Sequence, residues 1–215
     1  MSQPPHHSTL GRPVNEGARA LRREQILAGA RTCFARKGFH AASTAEISAE
    51  AKVSVANLYQ YFQSKDDLVR ALIDEDLAGD LELLGAVEAA GSFREGLEMA
   101  SRLLTADNDV AQDSRLRLEI LAEASRQPAI AAMVKAADDH LVRVLGALIA
   151  RYQAKGELSD DVAANTAARL IVSLYDGMFC RFAFGVSDTE QLIAAADSFV
   201  FQALAAVKAP AHRIV

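Results

Sequence analysis

The sequence predicts an all-α protein of nine helices, in which a small three-helix domain precedes a larger helical domain. From about residue 21 onward, apolar residues recur at the i, i+3, i+4 spacing of amphipathic helices, and the alternation typical of strands is absent. Residues that cap helix N-termini precede several of these segments. The chain has 215 residues, 51% hydrophobic and 24% charged, so it is long enough to bury a core and is not disordered by composition.

The N-terminal segment is predicted to be a flexible arm followed by a long first helix. Residues 1–19 contain three of the five prolines and are predicted to form the arm. Residues 20–37 are predicted to form the helix, with Ile26, Ala30 and Phe34 on one face. Gly38 is expected to end this helix as a left-handed cap.

Two short helices are predicted next, because a capping signal precedes each of them. Ser43 and Glu46 form a capping box, in which the serine hydroxyl accepts from the amide three residues on and the carboxylate accepts from the serine amide. After a break at about Lys52, Ser54 caps a helix predicted at 55–62. Two short helices joined by a tight turn and packed on a longer helix form a helix-turn-helix, in a domain predicted at 20–65.

The helices beyond residue 65 are predicted to be longer and to form one domain over 66–208, followed by a tail at 209–215. Ser92 and Glu95 repeat the capping-box spacing, Pro128 suits a first helical turn, and Asp188 can cap the last helix. The predicted helices occupy 66–89, a segment starting at 92, 110–126, 128–155, a segment from 159 or 160 to 184, and 188–208.

The net charge of −5 conceals a basic N-terminal part and an acidic remainder. Residues 1–65 hold nine Lys or Arg against four Asp or Glu, a net charge of +5, and the remaining 150 residues carry −10. This segregation fits a protein whose basic end meets a polyanion while its acidic body is repelled. A chance distribution of charge in a helical protein would look the same. Sequence motifs are therefore needed to decide whether the basic end binds a polyanion.

Several protein classes are disfavoured. Cys33 and Cys180 lie far apart in apolar helical patterns, which argues against a disulfide framework and a zinc site. The longest uncharged segment of the predicted fold, 53–64, is shorter than the ~20 residues of a membrane-spanning helix, and so is the apolar segment 198–207. The first ten residues lack the pattern of a secretory signal, so a cytoplasmic location is expected. Neither a catalytic spacing of Ser, Cys or carboxylates nor a Gly-rich phosphate loop is present, so no enzyme activity, cofactor or metal is expected.

An ordered set of residues runs through the segment 26–71: Ile26, Ala30, Phe34, Gly38, Phe39, Ser43, Thr44, Ile47, the stretch 51–54 and the stretch 58–68. This set resembles the DNA-binding region of the TetR family of transcriptional regulators. Two positions depart from the family pattern, since Lys52 and Ala56 stand where the family usually or often has glycine. A non-glycine residue with positive φ costs on the order of 1 kcal/mol, so Lys52 is expected to bear that strain or to sit in an altered turn.

The resemblance implies that the partner is a double-stranded DNA operator, with the third helix in the major groove. Val55 and Ala56 would contact thymine methyl groups, and Asn57 would pair with adenine. Tyr59 and Tyr61 would donate to phosphates. The expected DNA contacts are Ser43, Thr44, Lys52, Ser54, Val55, Ala56, Asn57, Tyr59, Gln60, Tyr61 and Lys65.

The resemblance also implies a homodimer on a palindromic operator, and a small-molecule effector that releases this repressor from DNA. Helices eight and nine are expected to form the dimer interface through Leu170, Ile171, Leu174, Met178, Ala196, Phe199, Val200 and Ala203. The effector pocket is expected among helices four to eight, with the lining residues Phe93, Met99, Leu103, Leu121, His140, Tyr175, Asp176 and Phe179.

Alternatives are open at two levels. His140 lies on the predicted apolar stripe of helix seven and equally suits a hydrogen-bonded core histidine, and Asp176 could instead pair with Arg169. For the whole protein, the alternative is a helical protein-interaction module that has lost sequence-specific DNA binding, because helix three carries no basic residue. Reversing the charge of Lys65 and truncating Tyr59 would then abolish activity only in a DNA-binding protein.

Overall fold

The computed structural model describes residues 16–106, 110–185 and 188–205, and within these ranges the chain forms nine helices. They are α1 (Glu16–Lys37), α2 (Thr44–Glu50), α3 (Val55–Tyr61), α4 (Lys65–Ala89), α5 (Phe93–Ala106), α6 (Val110–Ala124), α7 (Pro128–Ala154), α8 (Ala164–Phe182) and α9 (Thr189–Leu204). Among the described residues, extended pairing is limited to one isolated bridge between Leu158 and Ala205. The predicted all-α fold is confirmed. No described helix combines the length and the apolar character of a membrane span.

The N-terminal three helices enclose an apolar core that continues into the rest of the protein. α1 turns Ile26, Ala30 and Phe34 inward, as predicted. α1 and α2 approach closely at Gly29, where an added Cβ would lie 2.9 Å from the backbone nitrogen of Ala51. The same cluster includes residues of α3, α4, α6 and α7, namely Leu58, Leu68, Leu72, Leu116, Ile120 and Ile130. The N-terminal domain therefore rests on the larger domain through continuous packing.

The larger domain is built on α7, which packs along α4 and α8, while α5 packs on α4 and α9. Phe93 at the start of α5 is fully buried, and its ring meets the Tyr152 ring edge-on at 5.4 Å. The Tyr152 hydroxyl donates to the Val87 carbonyl at 2.9 Å, which satisfies its polar end inside the core. A smaller cluster joins α8 to α9 through Met178, Phe182, Ile193 and Ala196.

Three predicted helix ends are wrong. α1 begins at Glu16, so residues 16–19 belong to this helix and not to the predicted arm. A glutamate in the first turn complements the partial positive charge of the helix N-terminus. α6 ends at Ala124, two residues before the predicted end, and the Arg126 amide then donates to the Glu123 carbonyl three residues back at 2.9 Å in a turn that leads to α7. The predicted continuation of helix nine beyond Leu204 is wrong at Ala205, which has extended backbone and pairs with Leu158. The remainder of the predicted arm and the predicted tail lie outside the described residues.

The predicted start of helix eight is also wrong, because Ser159 forms a local turn. The Ser159 hydroxyl accepts from the Asp161 amide at 3.1 Å and donates to the Asp161 carboxylate at 2.7 Å. The Ser159 amide donates to the Leu204 carbonyl at 2.7 Å. Serine side chains that bond the backbone two residues on compete with helix formation. α8 therefore begins only at Ala164.

The other predicted caps are confirmed in whole or in part. The Asp188 carboxylate accepts from the Gln191 amide at 3.1 Å and caps α9. The Ser92 hydroxyl accepts from the Glu95 amide at 3.1 Å, but the Glu95 carboxylate accepts from Gly91 rather than from Ser92. The second predicted capping box is thus only half formed, since its carboxylate bonds one residue further out.

Candidate functional site

Hydrogen bonds hold the start of α2 in the predicted capping box. The Glu46 amide donates to the Ser43 hydroxyl at 3.2 Å, and the Ser43 amide donates to the Glu46 carboxylate at 3.0 Å. The Lys37 ammonium also donates to Glu46, and these hydrogen bonds, that of Lys37 foremost, lower the pKa of Glu46 to about 2. The box is therefore charged and intact at neutral pH.

The turn between α2 and α3 carries backbone strain at Lys52. Its φ of 54° is the one positive value at a non-glycine residue in the described ranges, so the predicted strain is confirmed. Gln25 of α1 donates its side-chain amide to the Ala51 carbonyl at 2.6 Å and fixes the turn from the other side. The Lys52 side chain itself is exposed.

Replacing Lys52 with glycine is expected to raise the free energy of unfolding by about 0.5–1 kcal/mol, because glycine adopts positive φ without the Cβ penalty. Urea denaturation of both proteins measures this difference. Lys52→Ala is the matched control, since it removes the same charge and keeps the Cβ. A glycine variant less stable than the alanine variant would contradict the strain.

α3 exposes one face and buries the other. Ser54 caps it by accepting from the Asn57 amide at 3.1 Å, and Leu58 anchors it in the core. Asn57 is half-buried and donates its side-chain amide to Gln60 at 3.1 Å. Val55, Ala56, Tyr59 and Gln60 are exposed. We call the exposed surface of α3 together with the N-terminus of α2 the α2–α3 face.

The two helices of the α2–α3 face meet through their side chains. The Tyr59 hydroxyl lies 3.5 Å from the Thr44 hydroxyl, and Ser43 is exposed beside it. Tyr61 is half-buried, and the Arg19 guanidinium of α1 lies over its ring at 5.9 Å. α1 thus brings basic charge to the C-terminal end of a helix that has none of its own.

Lys65 does not extend the α2–α3 face. Its ammonium donates to the carbonyls of Phe39 at 2.8 Å, Ala42 at 3.2 Å and His40 at 3.5 Å. It also lies 4.7 Å from the centre of the Phe39 ring. An ammonium has three donors, and these carbonyls take all of them. In the DNA-free chain this side chain ties the α1–α2 loop to α4, so a structural role competes with the predicted DNA contact of Lys65.

The predicted pocket residues do not share one site. Tyr175, Asp176 and Phe179 of α8 line a cavity of about 110 Å³ between α4, α5, α6, α7 and α8. Leu103 and Leu121 line two neighbouring clefts, and Met99 is half-buried on α5. For Phe93 and His140 the expectation is wrong. Phe93 is fully buried in the core, and His140 is exposed on α7 and is not a core histidine either.

The sequence prediction missed Arg117 and Asp80, which form the polar side of this cavity. Arg117 of α6 lies 2.6 Å from Asp176 and 3.8 Å from Asp80 of α4, and its guanidinium lies 5.7 Å from the centre of the Phe179 ring. Asp176 therefore pairs with Arg117 and not with Arg169, which contacts Asp138 at 3.3 Å. The sequence did contain a signal for these charged residues. Asp76 and Asp80 are four residues apart, as are Asp113 and Arg117, and this spacing places both charges of each pair on one helix face.

A second arginine connects α1 to the helices of the cavity. Arg31 lies 3.0 Å from Asp76 of α4 and 3.1 Å from Asp113 of α6. Burial alone would lower its pKa, but the charges of Asp76 and Asp113 outweigh burial and raise it. Asp76 and Asp113 each lie one turn from Asp80 and Arg117, so the two charge clusters share α4 and α6.

Replacing Asp80 with asparagine is expected to raise the free energy of unfolding at pH 7.5 by about 1–3 kcal/mol. Burial raises the pKa of Asp80 to about 6, more than the attraction of Arg117 lowers it. The unfolded state therefore loses this proton first, and the native aspartate loses stability as the pH rises from about 4 to 6. Urea denaturation at pH 4.5 and 7.5, with the exposed Asp74→Asn as control, should show the larger gain at pH 7.5. Equal gains at both pH values would contradict the burial of this charge.

The predicted dimer residues divide into two groups. Leu170 of α8 and Phe199 of α9 are 63% and 65% exposed, Ala203 is also exposed, and Leu174 is half-buried. The other four are buried within the chain, so their expected role in the interface is wrong: Ile171, Met178, Ala196 and Val200. α8 and α9 are apolar on several sides, and these four face the core of their own subunit.

Two family models match the chain. The model described as bacterial regulatory proteins, tetR family, matches residues 26–72, which hold the helix-turn-helix. The model described as BetI-type transcriptional repressor, C-terminal, matches residues 93–205, which hold α5 to α9.

Relatives match along most of the chain. The HTH-type transcriptional regulator UidR of Escherichia coli is 30% identical over 163 residues, 73% of this chain and 79% of that protein. The structure of GusR from Salmonella enterica is 28% identical with a TM-score of 0.69, over 91% of this chain and 100% of that one. FadR of Bacillus subtilis in complex with stearoyl-CoA is 18% identical with a TM-score of 0.69, over 83% of this chain and 97% of that one, which shows a shared fold.

Proposed function

The chain belongs to the TetR family and is a DNA-binding transcriptional repressor, and we propose that it binds an inverted-repeat operator as a homodimer that a small molecule releases. The position of α6 carries this proposal. Its Asp113 holds Arg31 of α1, and its Arg117, one turn further on, lines the cavity. A ligand that moves α6 therefore acts on the helix that supports the DNA-binding domain.

The α2–α3 face reads DNA mainly through uncharged groups. Val55 and Ala56 fit thymine methyl groups, and the Asn57 amide fits the edge of adenine. The hydroxyls of Tyr59 and Tyr61 donate to phosphates. The remaining expected contacts are Ser43, Thr44, Lys52 and Ser54 near the DNA backbone, and Gln60 at either a base or a phosphate. Arginine contacts to guanine contribute little to such a site, because α3 has no arginine.

A single helix-turn-helix makes few contacts, and two copies place their recognition helices about 34–36 Å apart on DNA. The exposed side chains of Leu170 and Phe199 are large apolar groups in the last two helices, and a second copy would cover them. With Leu174 and Ala203 they form the proposed interface.

Replacing Phe199 with serine is expected to weaken the dimer about tenfold, because it removes a large apolar contact from each copy. Analytical ultracentrifugation over a dilution series measures the dissociation constant. Leu21→Ser is the matched control, since Leu21 is 67% exposed on α1, far along the chain from α8 and α9. An unchanged dissociation constant for Phe199→Ser would place the interface elsewhere.

The experiment that tests release uses a variant with a filled cavity. Ala100 lines the cavity from α5, and Ala100→Phe occupies most of its 110 Å³. A small-molecule extract of the source cells is added to each protein bound to a DNA fragment that it selects from the genome. We expect the extract to release the unchanged protein and not the variant. Equal release of both proteins, or release of neither, contradicts a ligand in this cavity.

The ligand-bearing relative supports the helical body as a ligand-binding unit, since FadR of Bacillus subtilis carries stearoyl-CoA. The chemistry of the effector of this chain is inferred from the side chains of its own cavity.

A further inference from the structure

The cavity lined by α4 to α8 is small, and most of its wall is apolar. Its volume of about 110 Å³ equals the space of roughly four water molecules in the liquid. The apolar part of the wall consists of aliphatic side chains of α4, α5, α7 and α8, among them Leu84, Ala100, Leu145 and Ile171. Such a cavity suits a compact apolar group of a few carbon atoms.

Charge is concentrated on one side of this cavity, where Asp80, Arg117 and Asp176 meet. Asp80 and Arg117 also line both neighbouring clefts, so this side opens toward solvent. Two carboxylates share one guanidinium here, and a bound cation would complete the charge balance. A bound carboxylate would instead add a third negative charge beside one positive charge.

Asp80 is the carboxylate with the weaker hold on Arg117. Arg117 approaches Asp176 to 2.6 Å with a hydrogen bond, whereas its nearest atom to Asp80 is 3.8 Å away. Within the described part of the chain, no hydrogen bond reaches the Asp80 carboxylate. The pKa of Asp80 is raised because this half-buried carboxylate is partly removed from water and Arg117, 3.8 Å away, compensates only in part. The rings of Phe179 and Tyr175 line the same cavity and can face a cation.

We propose that this cavity binds a small organic cation with a compact apolar body, and that Asp80 and Asp176 hold its charged group. This inference rests on the proposed function, because it names the ligand class of the effector cavity. The cation competes with Arg117 for Asp176. Arg117 then shifts with α6, and the shift reaches α1 through the pair of Asp113 and Arg31.

The test compares three probes that share a branched alkyl group and differ in charge: isopentylammonium, 3-methylbutan-1-ol and 3-methylbutanoate. Isothermal titration calorimetry of the full-length protein at constant ionic strength gives the affinities. We expect the ammonium to bind at least tenfold more tightly than the alcohol, and the carboxylate to bind most weakly. The proposal is overturned if the carboxylate binds most tightly, if ammonium and alcohol bind equally, or if the ammonium does not bind at millimolar concentration.

Substitutions then assign the charged contact. Asp80→Asn should weaken the ammonium at least tenfold and leave the affinity for the alcohol unchanged. Asp74→Asn removes an exposed carboxylate of the same helix and should alter neither affinity. If both variants bind isopentylammonium with the same affinity, Asp80 does not hold the charged group, and its proposed role is overturned.

The affinity for the ammonium should also fall as the pH is lowered from 7.5 to 5, because Asp80 is then protonated. The charged groups that face Asp80 or line the adjoining clefts are Asp76, Glu75 and Glu82 of α4, Arg117 and Asp113 of α6, Lys135 and Asp138 of α7, Asp176 of α8, and Arg31 of α1. Asp80→Asn should lose most of this pH dependence. An unchanged pH dependence in the variant overturns the assignment to Asp80.

Binding of DNA, measured with the same probes, separates this proposal from the proposed function. If the carboxylate binds and releases the DNA fragment, release by ligand stands and the cationic class is overturned. If the ammonium binds as expected but leaves DNA binding unchanged, the cationic class stands and the coupling to α1 is overturned.

Discussion

Replacing Asn57 with alanine is expected to weaken binding to the operator about 30-fold or more. A bidentate contact to a base contributes about 1–3 kcal/mol, and a dimer loses this contact in both half-sites. Asn57 lies in the first turn of α3, and its side-chain amide is oriented by Gln60 at 3.1 Å. Replacing Asn57 should leave α3 in place, because the buried side chain of Leu58 holds this helix in the core.

Fluorescence anisotropy with a labelled operator measures this loss. Asn165→Ala is the matched control, since Asn165 is an exposed asparagine in the first turn of α8. Both variants should unfold at the same urea concentration as the unchanged protein. An Asn57→Ala protein that keeps its affinity for every base sequence would mean that α3 does not read DNA through this side chain.

Replacing Lys65 with methionine is expected to lower the free energy of unfolding by about 2–3 kcal/mol. Methionine matches the length of the lysine stem but leaves the carbonyls of Phe39, His40 and Ala42 without their donor. A buried polar group that loses its partner costs about 1–3 kcal/mol. Urea denaturation measures the difference, with Lys135→Met as control because the Lys135 pair with Asp139 is exposed on α7.

The salt dependence of DNA binding distinguishes this role of Lys65 from a phosphate contact. For the folded variant, the slope of log K against log [salt] should be unchanged, because the ammonium is already bonded inside the protein. A phosphate contact would reduce the slope by about one per subunit and leave stability unchanged. That second result would contradict the structural role.

The helix-turn-helix could be predicted almost residue by residue, because its signals are local. Ser43 and Ser54 each accept from the amide three residues on, and Gly38 has the predicted positive φ. Lys65 could not be assigned in this way. Its partners lie in a loop more than 20 residues earlier in the chain, and nothing in its own sequence neighbourhood shows that contact.

The larger domain was less predictable because its helices are apolar on several sides. Leu170 and Ile171 are neighbours on α8, yet one is exposed and the other is buried, and an unbroken apolar run does not show which faces the core. On α7, the buried face at this end follows Val142, Leu145, Ile149 and Tyr152. His140 lies two residues before Val142, on the opposite side of the helix, although its spacing from Ala137 and Val144 had suggested the same stripe.

The central claim is that a pair of α2–α3 faces reads an inverted-repeat operator, and a genomic selection tests it most directly. Purified protein is mixed with genomic fragments at two salt concentrations, and the bound fragments are sequenced. We predict that one inverted-repeat sequence is enriched at both salt concentrations, with half-site centres about 10 base pairs apart. Binding to this sequence should be weaker at the higher salt concentration. Fragments that show no common sequence, or binding that disappears entirely at the higher salt concentration, would contradict the account.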